Sequence, residues 1–558
     1  MGSGLISIAM TGINAAQTGL LTTSNNIANM SAEGYTRQRI VQASNPTVMT
    51  GAGGIGQGTH VVTVERMYNQ ALNKQVLSAQ TSVSSLDTYY SQISQIDNML
   101  ADKDAGITPL MQQFFNGIQS VVSTPSLISS RQSMISAAET MVTGFQSMYS
   151  RLAELEAGVN SQISSTVESI NSYTKEIAGL NQRIISASAL NGQPANDLLD
   201  KRDELVSKLN ELVKVTTTTD TNGSYNVFVG SGQQLVIGTR VTEMVALNSS
   251  ADQSRIVVGL KGATGNVQEL PESLVTGGQL GGLLSFRTEA LDTAFNQLGL
   301  MATSLALTFN AQHDQGLDLD GNAPANDFFS ISDPTVIGKS TNSGTLSATW
   351  VTPPPNNGTN FYTNVTASDY QLSYDGTNYT LKRLSDNQSW VDSSFANINT
   401  QAQTQGFSLS GAPASGDSFT IQPTKDIARL FSVNATIAAN PKGIAAASVG
   451  GSTGAEDGSN ALKLGNLQIQ NTTSGGKATF QDNYAAFVND IGNKTASAEI
   501  SSEAQTALYK QAYSAKEAVS GVNRDEEAAK LIEYQQAYQA SAKVLEIASS
   551  LFDTLLAL

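Results

Sequence analysis

The first 32 residues carry no charged side chain, yet Ile6, Ile13, Leu20 and Ile27 recur every seven positions, with Ala9, Ala16 and Thr23 three places on. Seven-residue apolar spacing marks a helical stripe that faces another helix. Gly12 and Gly19 interrupt it, each costing about 1 kcal/mol relative to Ala, and the Ser, Thr and Asn content lowers propensity further. A helix of this kind is marginal alone and requires a partner.

The far end of the chain supplies one. Leu531, Tyr538, Leu545 and Phe552 keep the same spacing, with Tyr534, Ser541, Ala548 and Leu555 in the following positions. Asn523 reads as an N-cap with Glu526 as its capping-box acid, and Asp525 and Glu527 put negative charge at the positive end of the helix dipole. Run to Leu556, the helix would span about 50 Å at ~1.5 Å per residue, longer than a small domain is wide. Such a rod packs along something extended. Ile6, Ile13, Leu20, Ile27, Leu531, Tyr538, Leu545 and Phe552 are therefore the candidate assembly interface.

Between the ends, Leu72, Ala79, Leu86, Ile93 and Leu100 with Val76, Val83 and Tyr90, then Ile163, Ile170, Ile177 and Ile184 with Tyr173 and Leu180, predict a bundle of long helices. Thr108-Pro109 and Thr124-Pro125 read as breaks that restart helices, and residues 195–215 close the helical part. From Thr216 the pattern changes to β-rich runs with turn residues, as in NGSYNVFVGSGQQLVIGTRVTEMVAL, and again from about Val351 to Ile421. The second run is rich in Asn, Ser, Thr, Gly and Pro, holds both tryptophans, Trp350 and Trp390, and reads as an outward insertion. Helical pattern returns around 281–311 and from about Asp482.

The expected fold is multidomain α plus β: discontinuous terminal coiled-coil and helical-bundle domains built from both chain ends, with β-rich domains inserted in the middle. The boundaries read as 1–60 with 520–558 (terminal axial helices), 61–215 with 426–519 (long-helix bundle, joined by 277–312), 216–276 (β-rich) and 313–425 (outward β-rich insertion). A chain of 558 residues has room for about three or four domains.

Charge and composition exclude several function classes. With 31 Lys and Arg against 47 Asp and Glu, the net charge of −16 repels a phosphate backbone, so nucleic acid is not an expected partner. Cysteine is absent, which removes disulfides and thiolate metal sites and suits a chain that crosses an oxidising boundary unfolded. No uninterrupted apolar run approaches the roughly 20 residues of a membrane span, and no insertion is expected. The first positive charge is Arg37, so the N-terminus does not read as a cleavable signal peptide.

No cofactor and no catalytic constellation emerge. Gly51, Gly53 and Gly56 satisfy GxGxxG, but the strand-like HVVTV follows the glycines, whereas a dinucleotide loop follows a strand and precedes a helix. Asp318, Asp320, Gly321 and Asp327 fall at positions 3, 5, 6 and 12 of an EF-hand loop. Gly316 at position 1 and the short final Asp make an Asp-Gly turn the stronger reading and a weak cation site the lesser one. His60 and His313 lie far from any Ser or carboxylate at catalytic spacing. Asp525, Glu526 and Glu527 are explained by helix capping.

The N-terminal string GINAAQTGLLTTSNNIANMSAEGYTRQ, residues 12–38, resembles the motif shared by rod, hook and hook-associated proteins of the bacterial flagellar axis. The string SGVNRDEEAAKLIEYQQAYQASAKVLEIASSLFDTLL, residues 520–556, is similar to the matching C-terminal motif. Within that group, residues 64–82, 191–213 and 277–322 resemble the hook-associated protein 1 family. Arg524 departs from the pattern at a position where an uncharged or aliphatic residue is expected, and residues 330–425 match no part of it. The resemblance implies a structural, non-enzymatic subunit exported without a cleaved signal by the flagellar type III apparatus and added as an extracellular adaptor layer at the distal end of the hook. It implies self-assembly into a ring or helical layer and contact with hook protein and with a second junction protein on the filament side. It also implies a cytoplasmic export chaperone at the C-terminal region. Hook protein or flagellin is the alternative within the group. A surface carbohydrate-binding or enzymatic module in the β insertion is the alternative outside it.

Overall fold

The computed structural model describes residues 2–51, 53–101, 106–262, 264–450 and 454–556. Helix α1 (Gly2–Ala28) opens the chain and leads into an antiparallel ribbon of β1 (Gln38–Ser44) and β4 (Thr59–Arg66). The ribbon is extended by the small hairpin β2 (Val48–Thr50) and β3 (Gly53–Ile55). Gly51 and Gly53 therefore lie in a hairpin, with strand on both sides and no helix to receive a phosphate.

The body is built on α2 (Gln70–Leu100), α3 (Ile107–Ser123), α4 (Ile128–Asn191) and α5 (Asn196–Leu212). At 64 residues α4 is about 96 Å long. Ile163, Ile170, Ile177 and Ile184 are all buried, so the predicted seven-residue stripe is the core face of this rod. Gly192 ends it in the left-handed region, φ 61°, where a side chain would be strained. Helices restart near Pro109 and after Pro125, as expected.

Two antiparallel sheets follow. Four strands run in order from Val215–Thr219 to Arg240–Val241, and Ile256–Lys261 is central in a sheet of three. The chain then returns inward through α6 (Gly278–Phe286), a π-helical turn Arg287–Leu291, and α7 (Asp292–His313). Helix α7 is buried almost all round, as a helix at the centre of a core must be. Its Phe309 joins Phe114 of α3, Phe328 and Phe329, whose ring centroids lie 5.0 to 5.5 Å from it. Phe431 and Phe145 of α4 continue the cluster.

Beyond Phe329–Ser330, which pairs with Ser432–Val433, the outer unit holds five strands in the order Thr335–Gly338, Ser418–Gln422, Tyr370–Tyr374, Tyr379–Arg383, Ser389–Asp392. Thr345–Trp350 pairs with Phe407–Ala412, and α8 (Phe395–Thr404) packs against both groups. Strand therefore begins earlier than the expected Val351. Residues 351–369 form only one isolated bridge, because Pro353, Pro354 and Pro355 have no N–H for a ladder.

Short helices α9 (Ile427–Leu430), α10 (Ala435–Ala439) and α11 (Ser459–Asn466) lead to α12 (Phe480–Ser520), which packs along α2. Thr479 and Asp482 close a reciprocal capping box at its start, a signal the sequence reading passed over. Helix α13 (Arg524–Leu556) ends the description and packs along α1. The side chain of Leu555 lies outside the described residues.

Residues Gly4–Ala28 are long and apolar enough, by length and composition, to cross a bilayer. This corrects the expectation drawn from uninterrupted apolar runs. In the fold α1 instead lies against α13 and the ribbon β1–β4, with the polar Asn14, Gln17, Ser24 and Asn25 on its exposed surface.

Candidate assembly site

Helices α1 and α13 pair in one antiparallel register. A Cβ on Gly12 would stand 2.6 Å from Ser541 Oγ, and one on Gly19 would stand 2.7 Å from the Tyr534 ring. Asn26 Nδ2 donates to Glu527 Oε2 at 2.9 Å. Each step of seven along α1 thus meets a step of seven back along α13. Ala9, Ala16 and Thr23 are buried on the same side of α1, and Ala548 is buried on α13. The α1 side of the seam is made of small residues; at Gly19 the facing Tyr534 ring comes too close for a methyl group, whereas at Gly12 the close atom is the rotatable hydroxyl of Ser541.

The predicted interface residues flank this seam. Ile6, Ile13, Leu20, Ile27, Leu531 and Leu545 are half-buried, while Tyr538 and Phe552 remain 39% and 43% exposed. Large apolar groups border the close contact without forming its line.

Residues 35–37 lock the pair to the body. Arg37 Nε donates to Glu527 Oε1 at 2.9 Å and Arg37 Nη1 to Glu526 Oε2 at 2.8 Å, and the Glu527 carboxylate has no exposed surface. Glu526 therefore bonds Arg37 rather than acting as the expected capping-box acid, while Asn523 does cap α13 by accepting from Asp525 N at 2.9 Å. Tyr35 donates to Asn26 Oδ1 at 2.8 Å. Burial first, then the charges of Asp200 and Glu527, push its hydroxyl up to about 12, so it stays a donor. Arg37 N donates to Ser520 O at the end of α12, and Thr36 N to Asp200 of α5. Arg66 of β4 adds ion pairs to Asp200 and Asp203 at 2.6 and 2.9 Å. Three consecutive residues so tie together α1, α5, α12 and α13. Sequence reading missed their role because the partners of Thr36 and Arg37 lie 164 or more positions away.

The lesser candidates are engaged elsewhere. Asp318 Oδ1 accepts from Asp320 N and Asn322 N in a turn completed by Gly321 at φ 83°, and Asp320 pairs with Lys442 at 3.1 Å. Among the described residues no cluster of His, Asp and Glu with Asp327 gathers to hold a metal. His313 is buried and its Nε2 accepts from Ala445 N, while His60 Nδ1 meets Asn45 at the surface. Trp350 is buried with its Nε1 donating to Ser332 O, and Arg383 lies over the half-buried Trp390. Neither indole is presented as an open stacking platform.

Four family profiles match along the chain. They are "Flagella basal body rod protein" over residues 6–36, "Flagellar hook-associated protein FlgK helical domain" over 93–329, "Flagellar hook-associated protein 1, D2-like domain" over 357–423 and "Flagellar basal body rod FlgEFG protein C-terminal" over 517–558. The third covers most of the stretch that the sequence resemblance left unmatched. Curated relatives named flagellar hook-associated protein 1 are 39% identical in Salmonella typhimurium and 37% identical in Escherichia coli, each over 99% of this chain and 99% of the relative. A solved structure of the flagellar hook junction protein FlgK from Burkholderia pseudomallei is 30% identical, covers 80% of this chain and all of its own, and superposes with a TM-score of 0.71. With 37 to 39% identity over nearly the whole chain and a shared architecture, the chain belongs to the flagellar hook-associated protein 1 family.

Proposed function

We propose that this chain is a structural subunit of the bacterial flagellum, the adaptor that assembles at the distal end of the hook and permits filament attachment. One observation carries the reading. The two ends that match rod-protein profiles are joined in a single antiparallel helix pair, while the interior matches the hook-associated family alone. An axial module shared with other parts of the axis thus carries a body particular to the junction.

On this reading the ends, 1–60 with 520–558, are the axial part, and residues 313–425 project outward. The partners are further copies of the chain, hook protein below and a second junction protein above. A cytoplasmic export chaperone takes the amphipathic α13 before secretion, and the subunit leaves the cell without a cleaved signal. The role is mechanical rather than enzymatic. Arg37 and Glu527 are paired as a clamp between the two ends of the chain.

A deletion strain tests this. Loss of the chain should leave hooks complete and flagellin secreted but unpolymerised. Hookless cells would point to hook protein instead, and normal filaments would overturn the reading.

A further inference from the structure

The outer unit reaches the body through polar contacts. Among the described residues its strands and α8 pack chiefly on one another, and the segments between them touch the body. Asn360 Nδ2 donates to Asn471 O at 3.0 Å, and Thr363 N to Thr472 O at 2.9 Å. The Thr363 hydroxyl shares a 2.8 Å hydrogen bond with Ser304 of α7. Nearer the point where the chain returns, Thr424 Oγ1 donates to Asn296 Oδ1 at 3.0 Å, and Asn296 Nδ2 donates to Asp369 Oδ1 at 3.2 Å. A cleft of about 360 Å³ lies beside these contacts, lined by Glu156 and Asp252 from one side and by Gln422 and Lys425 from the other.

The charges along this seam do not balance. Arg255, Arg287 and Lys425 stand among Glu156, Asp252, Glu272, Asp292 and Asp369, three cations against five carboxylates. Each cation is already committed, Lys425 to Glu156, Arg255 to Glu272 and Asp292, and Arg287 to Glu272. Asp369 is left with two neutral donors, Asn296 and Gln422, the second at 3.4 Å, and Lys425 acts on it only through space. One turn before Asn296 on α7, Asp292 Oδ1 is out of water without a hydrogen-bond partner, and its charge bears on Asp369. Two carboxylates so placed hold one proton more readily than two charges. A proton on Asp369 keeps one oxygen accepting from Asn296 and supplies the kind of donor that Asp292 lacks.

We propose that Asp369 is a proton-operated latch between the outer unit and the body, which holds the unit on α7 when protonated and lets it rock away into the cleft when ionised. Burial, then the Asp292 charge, push its carboxyl up to about 6 from 3.8 in the docked form. Released from α7, the group returns toward its ordinary value, so proton uptake favours docking. The docked form gains as pH falls below 6, and the gain is complete near 3.8. In full it is about a hundredfold in the ratio of docked to released, of which about tenfold falls between pH 7 and pH 5. The latch is a property of the fold and stands apart from the junction reading.

The full chain has no cysteine, so Val391→Cys on the outer unit and Ile500→Cys on α12, both at exposed positions, accept a donor and an acceptor dye. Single-molecule energy transfer should show two populations, with the docked one rising about tenfold over the released one from pH 7 to pH 5. Asp369→Asn carries no charge and should stay docked at both values. Asn296→Ala takes a donor from the ionised carboxylate, so the response should persist with its midpoint about one pH unit higher, a displacement that loss of a merely structural contact does not give. His313→Gln removes a buried titrating group away from the seam and should leave the response intact. The proposal is overturned by a parent ratio that is the same at pH 7 and pH 5, by an Asp369→Asn chain that keeps the parent's response, by an unmoved midpoint in Asn296→Ala, or by loss of the response in His313→Gln.

Discussion

Arg37 and Glu527, 490 residues apart, meet at 2.9 Å with the carboxylate wholly out of water, and among the described residues no other ion pair joins the two ends of the chain so deeply. Removing the charge of Glu527 leaves Arg37 only the exposed Glu526. Breaking a buried pair costs about 3 to 5 kcal/mol, and the surviving contact sets the lower end of that range. Glu527→Gln should therefore lower amide-exchange protection along α13 by about a hundredfold, with α7 unchanged. Arg37→Lys should behave almost as badly, because an ammonium cannot serve Glu526 and Glu527 with a fixed fork. Equal protection of α13 in Glu527→Gln and the parent would show that the pair does not hold the ends together.

The two seam glycines should differ. Alanine gains about 1 kcal/mol of helix propensity at either position. At Gly19 the new methyl meets the Tyr534 ring, and overpacking of this kind costs about 1 to 3 kcal/mol. At Gly12 it meets only the terminal oxygen of Ser541, which can rotate away. Gly19→Ala should loosen α13 in hydrogen exchange while Gly12→Ala leaves it equal or tighter. The reverse order would mean that Tyr534 gives way more easily than Ser541.

Where a pattern was both periodic and buried, sequence alone sufficed. The isoleucines of α4 are the clearest case, since one stripe decides helix, face and core together. The cap at Asn523 was legible for a similar reason, being a local rule about orphan N–H groups. The seam between the chain ends was legible in part. The heptads already held Ala9, Ala16, Thr23, Tyr534, Ser541 and Ala548, but apolar periodicity weighs side chains by size, so the interface was assigned to residues such as Ile13 and Leu20, whereas close approach also selects Gly12 and Gly19. Glu527 read as a dipole charge because nothing near it in sequence announces Arg37. The outer sheet was foreseen in kind but not in extent, since three prolines remove the ladder from a stretch whose composition still looks like strand and turn.

Phe309 reaches three other phenylalanines from near the C-terminal end of α7, and its loss should be felt across the body. Truncating a buried phenylalanine costs about 3 to 5 kcal/mol, through lost transfer energy and the cavity left behind. Phe309→Ala should lower the denaturation midpoint of the body with little change in slope. A loss below about 1 kcal/mol would mean that the cluster closes over the gap.

His313 and Asp369 bias stability in opposite directions over the same acid range. Burial holds the imidazole down to about 4 from 6.5, with Nε2 accepting from Ala445 N and Phe328 against the ring. Between those values the unfolded chain binds the extra proton, so this contribution is complete above pH 6.5 and lost as pH falls to 4. Burial pushes Asp369 up to about 6 from 3.8, with Asn296 and Gln422 donating to it and the Asp292 charge raising it further. There the folded chain keeps the proton longer, so acidification from pH 6 to 3.8 stabilises. Each effect is on the order of 3 kcal/mol, and together they nearly cancel. His313→Gln, whose amide oxygen can still accept from Ala445, should gain stability relative to the parent as pH falls from 6.5 to 4.5. Asp369→Asn should lose it over the same interval. Urea unfolding at three pH values would read both slopes, and parallel slopes for parent and variants would show that neither group titrates as its surroundings require.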